Sequence, residues 1–397
     1  MKRLRTLDDI PIDGKRVILR VDFNISTSEA SAVGNGEDYR IQAALETIQE
    51  LRRRGCIVLL LTHRGKPGDT LAKTDIRPIH QHLQDTLKED IKLLPKLYGS
   101  EVESIVSGME QGSVALFPNI RSDEREMKAN ERFASHLAEV ADAYVNEAFS
   151  VSHRAQTSVA VLPRVLLSAA GRRTVVEVDV LSKLQSKPQR PYVAIVSGAK
   201  IVTKVGMLHQ LLGQVDTLCV GGQIANVFLE ARGDWKGGYN GNEIEAARSI
   251  LATNGHKILL PEDVVIGNED GSGAREVSVS AIPEDTKYIW DIGPKSAHAI
   301  VKVCKTANTI MWNGPVGKTE VDAYSLGTKA LASAIADMSG YRVVGGGDTV
   351  NVLEKLRITS KYDHVSVGGG AMIAMIEGKF MPGLEPLYIE EKEHGQN

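Results

Sequence analysis

The 397-residue chain holds only three cysteines, Cys56, Cys219 and Cys304, far apart and with no C-x-x-C pair. An odd, scattered set argues against a disulfide framework and against a cysteine-built zinc site, and it suits a reducing compartment. Aromatic residues make up 5% of the chain, and apolar runs are short, as at Cys56 to Leu61. That is far below the ~20 apolar residues a membrane-spanning helix needs. The first residues, Met1 to Asp9, include basic side chains but no apolar stretch behind them, so no secretory leader is expected. Net charge is −3, which gives no reason to expect a nucleic-acid or membrane partner. The expectation is a cytoplasmic globular chain, long enough for two or three domains with separate cores.

What the chain does have is alternation. Val17 to Val21 reads as a strand, and Arg40 to Arg53 as a helix with Ile41, Ala44, Leu45, Ile48 and Leu51 on one face. Ile57 to Leu61 is wholly apolar, as a strand covered on both faces should be. Val114 to Phe117 and Ala143 to Val145 continue the series. Further strands are expected at Tyr192–Val196, Thr217–Val220, Lys257–Leu260, Lys287–Trp290, Thr309–Trp312, Arg342–Val344 and His364–Val367. Helical patterns separate most of them. This predicts an α/β chain of two doubly wound, mainly parallel-sheet domains facing a central cleft and joined by a helical hinge. Gly171 opens a charged amphipathic stretch that Ser186 to Pro191 breaks, so the expected domains are 1–170 and 191–382, with the joining helix over 171–190. The tail, 383–397, is expected on or near the first domain. Gly34 to Asp38 reads as a loose loop.

Ligands of open α/β sheets bind beyond the carboxyl ends of the strands, and the two halves differ there. Of 23 arginines, 15 lie within residues 1–170, against 8 of 24 lysines; the guanidinium fork suits carboxylate and phosphate. The first-half strands run into Asp22-Phe23-Asn24, His63-Arg64-Gly65-Lys66, Asn119-Ile120-Arg121 and Asn146 to Arg154. Such a rim suits a small anion carrying hydroxyls: cations hold the anion, and Asp22 and Asn24 orient the hydroxyls. Taken singly, Asp22 reads equally as a helix cap, His63 as a core histidine and Arg154 as a surface ion pair; four strand ends alike weigh against that.

The second half places glycines instead: Gly198-Ala199-Lys200, Gly221-Gly222-Gln223, Asn313-Gly314-Pro315, Gly345-Gly346-Gly347-Asp348-Thr349 and Gly368-Gly369-Gly370. Glycine admits close backbone approach, and a helix starting there points free N–H groups at an anion. That suits nucleotide phosphates, with Asp348 placed to hold Mg²⁺ directly or through water. Two common motifs fail. Gly314 to Thr319 ends like a P-loop, but Trp312 stands where its first glycine belongs, and the candidate G-x-G-x-x-G runs break at Val350 and Tyr39. Two sheets with different ligand chemistries predict group transfer across a cleft.

Arg20-Val21-Asp22-Phe23-Asn24, Tyr144 to Phe149 with His153-Arg154, Gly198-Ala199-Lys200, Asp291 to Lys295, Trp312 to Pro315 and Gly345 to Thr349, in this order, resemble the phosphoglycerate kinase family. The resemblance covers roughly residues 15 to 383. It implies reversible transfer between 1,3-bisphosphoglycerate with Mg-ADP and 3-phosphoglycerate with Mg-ATP; a cleft that closes within one chain needs no partner, so a monomer is expected. It further implies that Asp22, Asn24, Arg40, His63, Arg121 and Arg154 hold the glycerate, Lys200 and Lys204 serve the nucleotide, and Glu320 meets the ribose. Gly346 to Thr349 would meet phosphates and metal, while Arg40 and Lys200 flank the migrating phosphoryl group. The chain departs from the family's pattern at Lys66, usually arginine, and at Arg64, Pro118, Ser150-Val151-Ser152, Ser197, Thr319 and Val367.

Overall fold

The computed structural model describes residues 2–25, 39–66, 68–198 and 204–390. Ala199, Lys200, the expected loop at 34–38 and the end of the tail lie outside the described residues. By its internal packing the chain forms two compact units, residues 1–179 with 379–397, and residues 180–378.

The first unit is built on six strands: β1 (Arg16–Arg20), β2 (Ile57–Leu61), β3 (Lys92–Leu93), β4 (Val114–Leu116), β5 (Ala143–Asn146) and β6 (Leu167–Ala170). All pair in parallel, in the spatial order β3-β4-β2-β1-β5-β6. The chain fills one side of β1, then crosses to the other after β4, so the sheet's switch point lies beside β1. Residue alternation along each strand feeds two cores. Val17, Leu19, Val58 and Leu60 join one apolar cluster, and Ile18, Leu59 and Leu61 the other. Helix α1 (Tyr39–Arg53) lays Ile41, Ala44, Ile48 and Leu51 into the first of these. The sequence reading omits β3 and β6. One is two residues long, and the other reads Leu-Ser-Ala-Ala, with little β-propensity of its own.

The second unit repeats the plan with β7 (Tyr192–Val196), β8 (Thr217–Val220), β9 (Ile258–Leu259), β10 (Thr309–Asn313), β11 (Tyr341–Gly345) and β12 (His364–Ser366). These are parallel too, ordered β9-β8-β7-β10-β11-β12, with the switch point between β7 and β10. The strand expected at Lys287–Trp290 sits elsewhere. It runs Ile289–Ile292 and pairs antiparallel with Asp263–Ile266, whose other neighbour is Arg275–Ser278. The turn Asn268 to Gly273 between those two strands makes the hairpin that captures it. Tyr388–Glu390 pairs antiparallel with Lys2–Leu4.

Helix α2 (Arg172–Ser186) begins in the first unit, and the division between the units falls inside it. Its start is clamped. Arg172 grips Glu50 with Nε and Nη2, each at 2.7 Å, and reaches Asp8 with Nη1 at 2.8 Å. The buried Glu147 carboxylate accepts the Arg173 and Thr174 amides, each at 3.1 Å, and the Thr47 hydroxyl. Those amides are ones the helix itself leaves unpaired. Burial pushes the Glu147 carboxyl up to about 7, against the pull of the same bonds. A side chain at Gly171 would overlap this carboxylate, which three hydrogen bonds hold in place. Gly171→Ala is therefore expected to cost about 1–3 kcal/mol as an overpacked core site. Thermal unfolding should show a clear drop in Tm, and an unchanged Tm would contradict the clamp.

Candidate active site

The carboxyl ends of β1, β2, β4 and β5 bring most of the predicted acid-site residues into one hydrogen-bonded cluster. Asp22, 9% exposed, is its hub. Its Oδ2 accepts Arg40 Nη1 at 3.0 Å and the Ser150 hydroxyl, its Oδ1 accepts the Asn24 amide at 3.1 Å, and His63 Nε2 lies 3.7 Å from Oδ1. Burial alone would raise the Asp22 pKa. Arg40 foremost, with the Ser150 hydroxyl and the Asn24 amide, outweighs it and holds the carboxyl well below its ordinary range. Arg40 also donates to the Asn24 carbonyl at 3.2 Å, and Asn24 Oδ1 accepts the Gly65 amide at 2.8 Å. Arg121 donates from Nη1 to the Gly65 carbonyl, while its buried Nε and Nη2 have no partner among the described residues. Burial, followed by the nearby charges of Arg20 and Arg154, pulls the Arg121 pKa down to about 10. Two buried donors left unmet on a half-buried cation are costly, and this wall could take an acceptor.

The remaining predicted residues are less central. Phe23 is core, and only its backbone joins in, through a 2.9 Å bond to the Thr62 hydroxyl. Arg64 is buried and donates to the Asp75 carbonyl. Lys66 is exposed, its amide turned to Asp69 at 2.7 Å. Arg154 is exposed too, with Nε 3.3 Å from His153 Nε2.

In the second unit the strand ends line a cavity of about 440 Å³. Gly198, Gly222, Pro315, Glu320 and Asp348 border it, with Tyr288 and Trp290 on its aromatic side. Gly222 opens α3 (Gly222–Arg232) at φ +56°, and Gly346 precedes α4 (Gly347–Lys355) at φ +102°. Both are conformations that a side chain would strain. Lys204, nearly buried, donates to the Ser197 carbonyl and, at 3.0 Å, to Asn313 Oδ1. Burial pulls its ammonium down to about 8, with Asp348 opposing the fall. Asp348 stands open in the first turn of α4, yet the protein around its carboxyl, helped by the charge of Glu320, pushes its pKa up against the pull of Lys204. Thr349 is fully buried, and its hydroxyl has no partner among the described residues. A side chain at Gly347 would meet no atom of the described residues within 4 Å.

Residues 7–379 match the family described as phosphoglycerate kinase. This chain belongs to the phosphoglycerate kinase family. Phosphoglycerate kinases of Herpetosiphon aurantiacus and Moorella thermoacetica are each 37% identical to it, over 96% of this chain and 98% of theirs. The solved phosphoglycerate kinase of Coxiella burnetii superposes with a TM-score of 0.80 at 32% identity, covering 97% of this chain and 99% of that one. The enzyme of Pyrococcus horikoshii gives a TM-score of 0.87 at 27% identity, covering 97% and 98%. As a member of the phosphoglycerate kinase family the chain is a phosphotransferase with a carboxyl group as acceptor.

Among the described residues, no three His, Cys, Asp or Glu side chains gather to hold a metal. Phosphoglycerate kinases use magnesium with their nucleotide. Mg²⁺ takes one or two carboxylates and completes its shell with phosphate oxygens and water. Asp348, with the unpaired Thr349 hydroxyl beside it, supplies such a partial set. When bound, the ion would offset phosphate charge.

Sequence reasoning missed the aromatic side of the cavity. Trp290 stacks on Tyr324 at 5.7 Å and meets Tyr288 at 5.1 Å, and Lys318 Nζ lies 4.7 Å over the Trp290 ring. The signal was present: Lys318 stood out in the failed P-loop run, and Trp290 ended an expected strand. Ser150 lay within the strand-end run Asn146 to Arg154 and stood out as a departure from the family pattern, but was not named as a site residue, yet it bonds the acid cluster's hub. On titration by NMR, Lys204 should lose its proton near pH 8, and below that in Asp348→Asn, which removes the supporting charge. A midpoint near its ordinary 10.5 would contradict the burial described above.

Proposed function

We propose that this chain interconverts 1,3-bisphosphoglycerate plus ADP and 3-phosphoglycerate plus ATP, with Mg²⁺ accompanying the nucleotide, as a cytoplasmic monomer. The observation that carries this reading is the opposite chemistry of the two strand-end rims. One is a cationic cluster with unsatisfied buried donors at Arg121. The other is a glycine-lined cavity with a carboxylate and a free hydroxyl at the start of a helix. The first suits a small phosphorylated acid and the second a nucleotide's phosphates.

In this reading Asp22 and Asn24 orient the acid's hydroxyl, and His63, Arg121 and Arg154 hold its charged ends. Gly198, Gly222, Asn313, Pro315 and Gly346 to Thr349 line the phosphates, Lys204 backs them, and Glu320 meets the ribose. Arg40 and Lys200 flank the phosphoryl group in flight. Phe23, Arg64, Gly65 and Lys66 shape the acid site through the backbone and the loop that follows β2, and Ala199 belongs to the nucleotide turn. The attacking oxygen belongs to a carboxylate, whose pKa near ~4 leaves it ionised at neutral pH. No general base is needed. Rate enhancement then comes from positioning and from charge set against the transferring phosphoryl group. Substrates carried on separate units must meet, so closure about the joining helix precedes transfer and excludes water.

The direct test is a coupled assay of the purified chain with 1,3-bisphosphoglycerate and Mg-ADP. ATP formation supports the reading; nucleotide binding without ATP formation overturns it. Asp348→Asn and Lys200→Ala should each lower turnover by at least ~10²-fold, the scale of removing one preorganised charge. Arg121→Ala should act mainly on the acid, raising its KM by about tenfold or more while the nucleotide KM changes little. Equal effects on both substrates would refute the division of labour.

A further inference from the structure

Behind the acid cluster runs a chain of buried polar groups that the transfer mechanism leaves unused. Glu126, fully buried, accepts the Ser158 amide at 2.9 Å and meets the Ser158 hydroxyl at 2.7 Å. That hydroxyl oxygen accepts Arg20 Nε at 2.9 Å. Arg20 is also fully buried; its Nη1 donates to the Val21 carbonyl and its Nη2 faces His63 Nδ1 at 3.2 Å. A guanidinium has donors and no acceptor, and it does not lose its proton in a protein. His63 Nδ1 must therefore be the acceptor, and the ring's proton sits on Nε2.

We propose that Arg20 is a positioning residue that fixes His63 as the neutral Nε2–H tautomer, so that His63 presents a hydrogen-bond donor, not a positive charge, to the acid substrate. The word substrate rests on the function proposed above; the tautomer does not. The charges facing His63 agree. Arg20 reaches it from β1, Arg40 from α1 and Arg121 from the end of β4, with Asp22 as the counter-charge. Burial and these three arginines oppose protonation, and Asp22 does not overcome them, so the imidazole pKa lies well below its ordinary value. Asp22 Oδ1 is 3.7 Å from Nε2, outside hydrogen-bond range, so among the described residues the Nε2–H is not used up inside the cluster. A donor of this kind suits an oxygen of the acid's carboxylate, hydroxyl or phosphoryl group. It adds no charge to a site already rich in arginine.

The test is ¹⁵N NMR of histidine-labelled, full-length, ligand-free protein. His63 is expected to show a bare Nδ1 and a protonated Nε2, unchanged from about pH 5.5 to 8, the range over which an ordinary histidine changes charge. A proton on Nδ1, or an imidazolium forming within that range, overturns the proposal without any variant being made. In Arg20→Met, which keeps the length and removes the donors, His63 should become a mixture of tautomers with a midpoint back toward its ordinary value. The KM for 3-phosphoglycerate should rise about tenfold, one hydrogen bond's worth, with kcat falling less. Arg20→Lys restores a donor-only side chain and should recover part of both effects. A tautomer unchanged in Arg20→Met also overturns the assignment. If His63 shows the expected tautomer but 3-phosphoglycerate does not bind, the substrate reading falls and the Arg20–His63 pairing stands.

Discussion

A parallel sheet covered on both faces leaves only its rims for chemistry, and the molecule is organised around that restriction. The central strands of both six-stranded sheets are buried residue after residue, from Ile57–Leu61 in the first to Tyr192–Val196 and Thr309–Asn313 in the second. Side chains that alternate into two cores cannot also touch a ligand. Functional positions therefore collect at or just past the last paired residue, at Asp22, His63, Asn119 and Asn146 on one sheet and at Gly198, Gly222, Asn313 and Gly346 on the other. Each rim is centred on the strand pair where the order of the sheet reverses.

In the proposed reading the two rims hold anions in different ways. The first gathers guanidinium groups, and such a gathering is unstable without compensation. Asp22 supplies it, ionised and tied to Arg40, with Ser150 and the Asn24 amide satisfying its other lone pairs. Glu126, linked through Ser158, balances the fully buried Arg20. Arg121 is the member left incompletely satisfied, the condition expected of a group awaiting a ligand. The second rim uses backbone. Positive-φ glycines let the chain turn without side chains in the way, and α4 begins directly after one of them. Burial brings the pKa values of Lys204 and Asp348 toward each other, against their mutual attraction. A carboxylate acceptor asks for nothing more reactive than this.

Most of the architecture was legible in the sequence because long parallel strands announce themselves as β-branched apolar runs. Ile57–Leu61, Tyr192–Val196 and Thr217–Val220 have the bounds read from composition alone. Leu167–Ala170 was not legible, since its small residues gain their pairing only from β5 alongside. The strand near Trp290 was legible as a strand but not as antiparallel, because its partner comes from a glycine-rich hairpin some twenty residues earlier. At the acid rim the side chains were readable and their hub was not. Nothing in the string at 20–24 says that Asp22 will pair with Arg40 across the intervening segment, or that Ser150 will bond it from another strand end. Arg64 looked like a ligand by position; its guanidinium meets the Asp75 carbonyl, a contact fixed by the fold of the loop after β2.

The division of ligand chemistry between the two rims is the claim on which the rest stands. Backbone-amide chemical-shift mapping with 3-phosphoglycerate and, separately, with ADP tests it most directly. The account predicts that the acid perturbs residues 22–24, 63–66, 119–121 and 150–154, and that ADP perturbs 198, 222, 314–320 and 346–349. Both ligands acting on one rim, or the acid acting on the glycine turns, would contradict it.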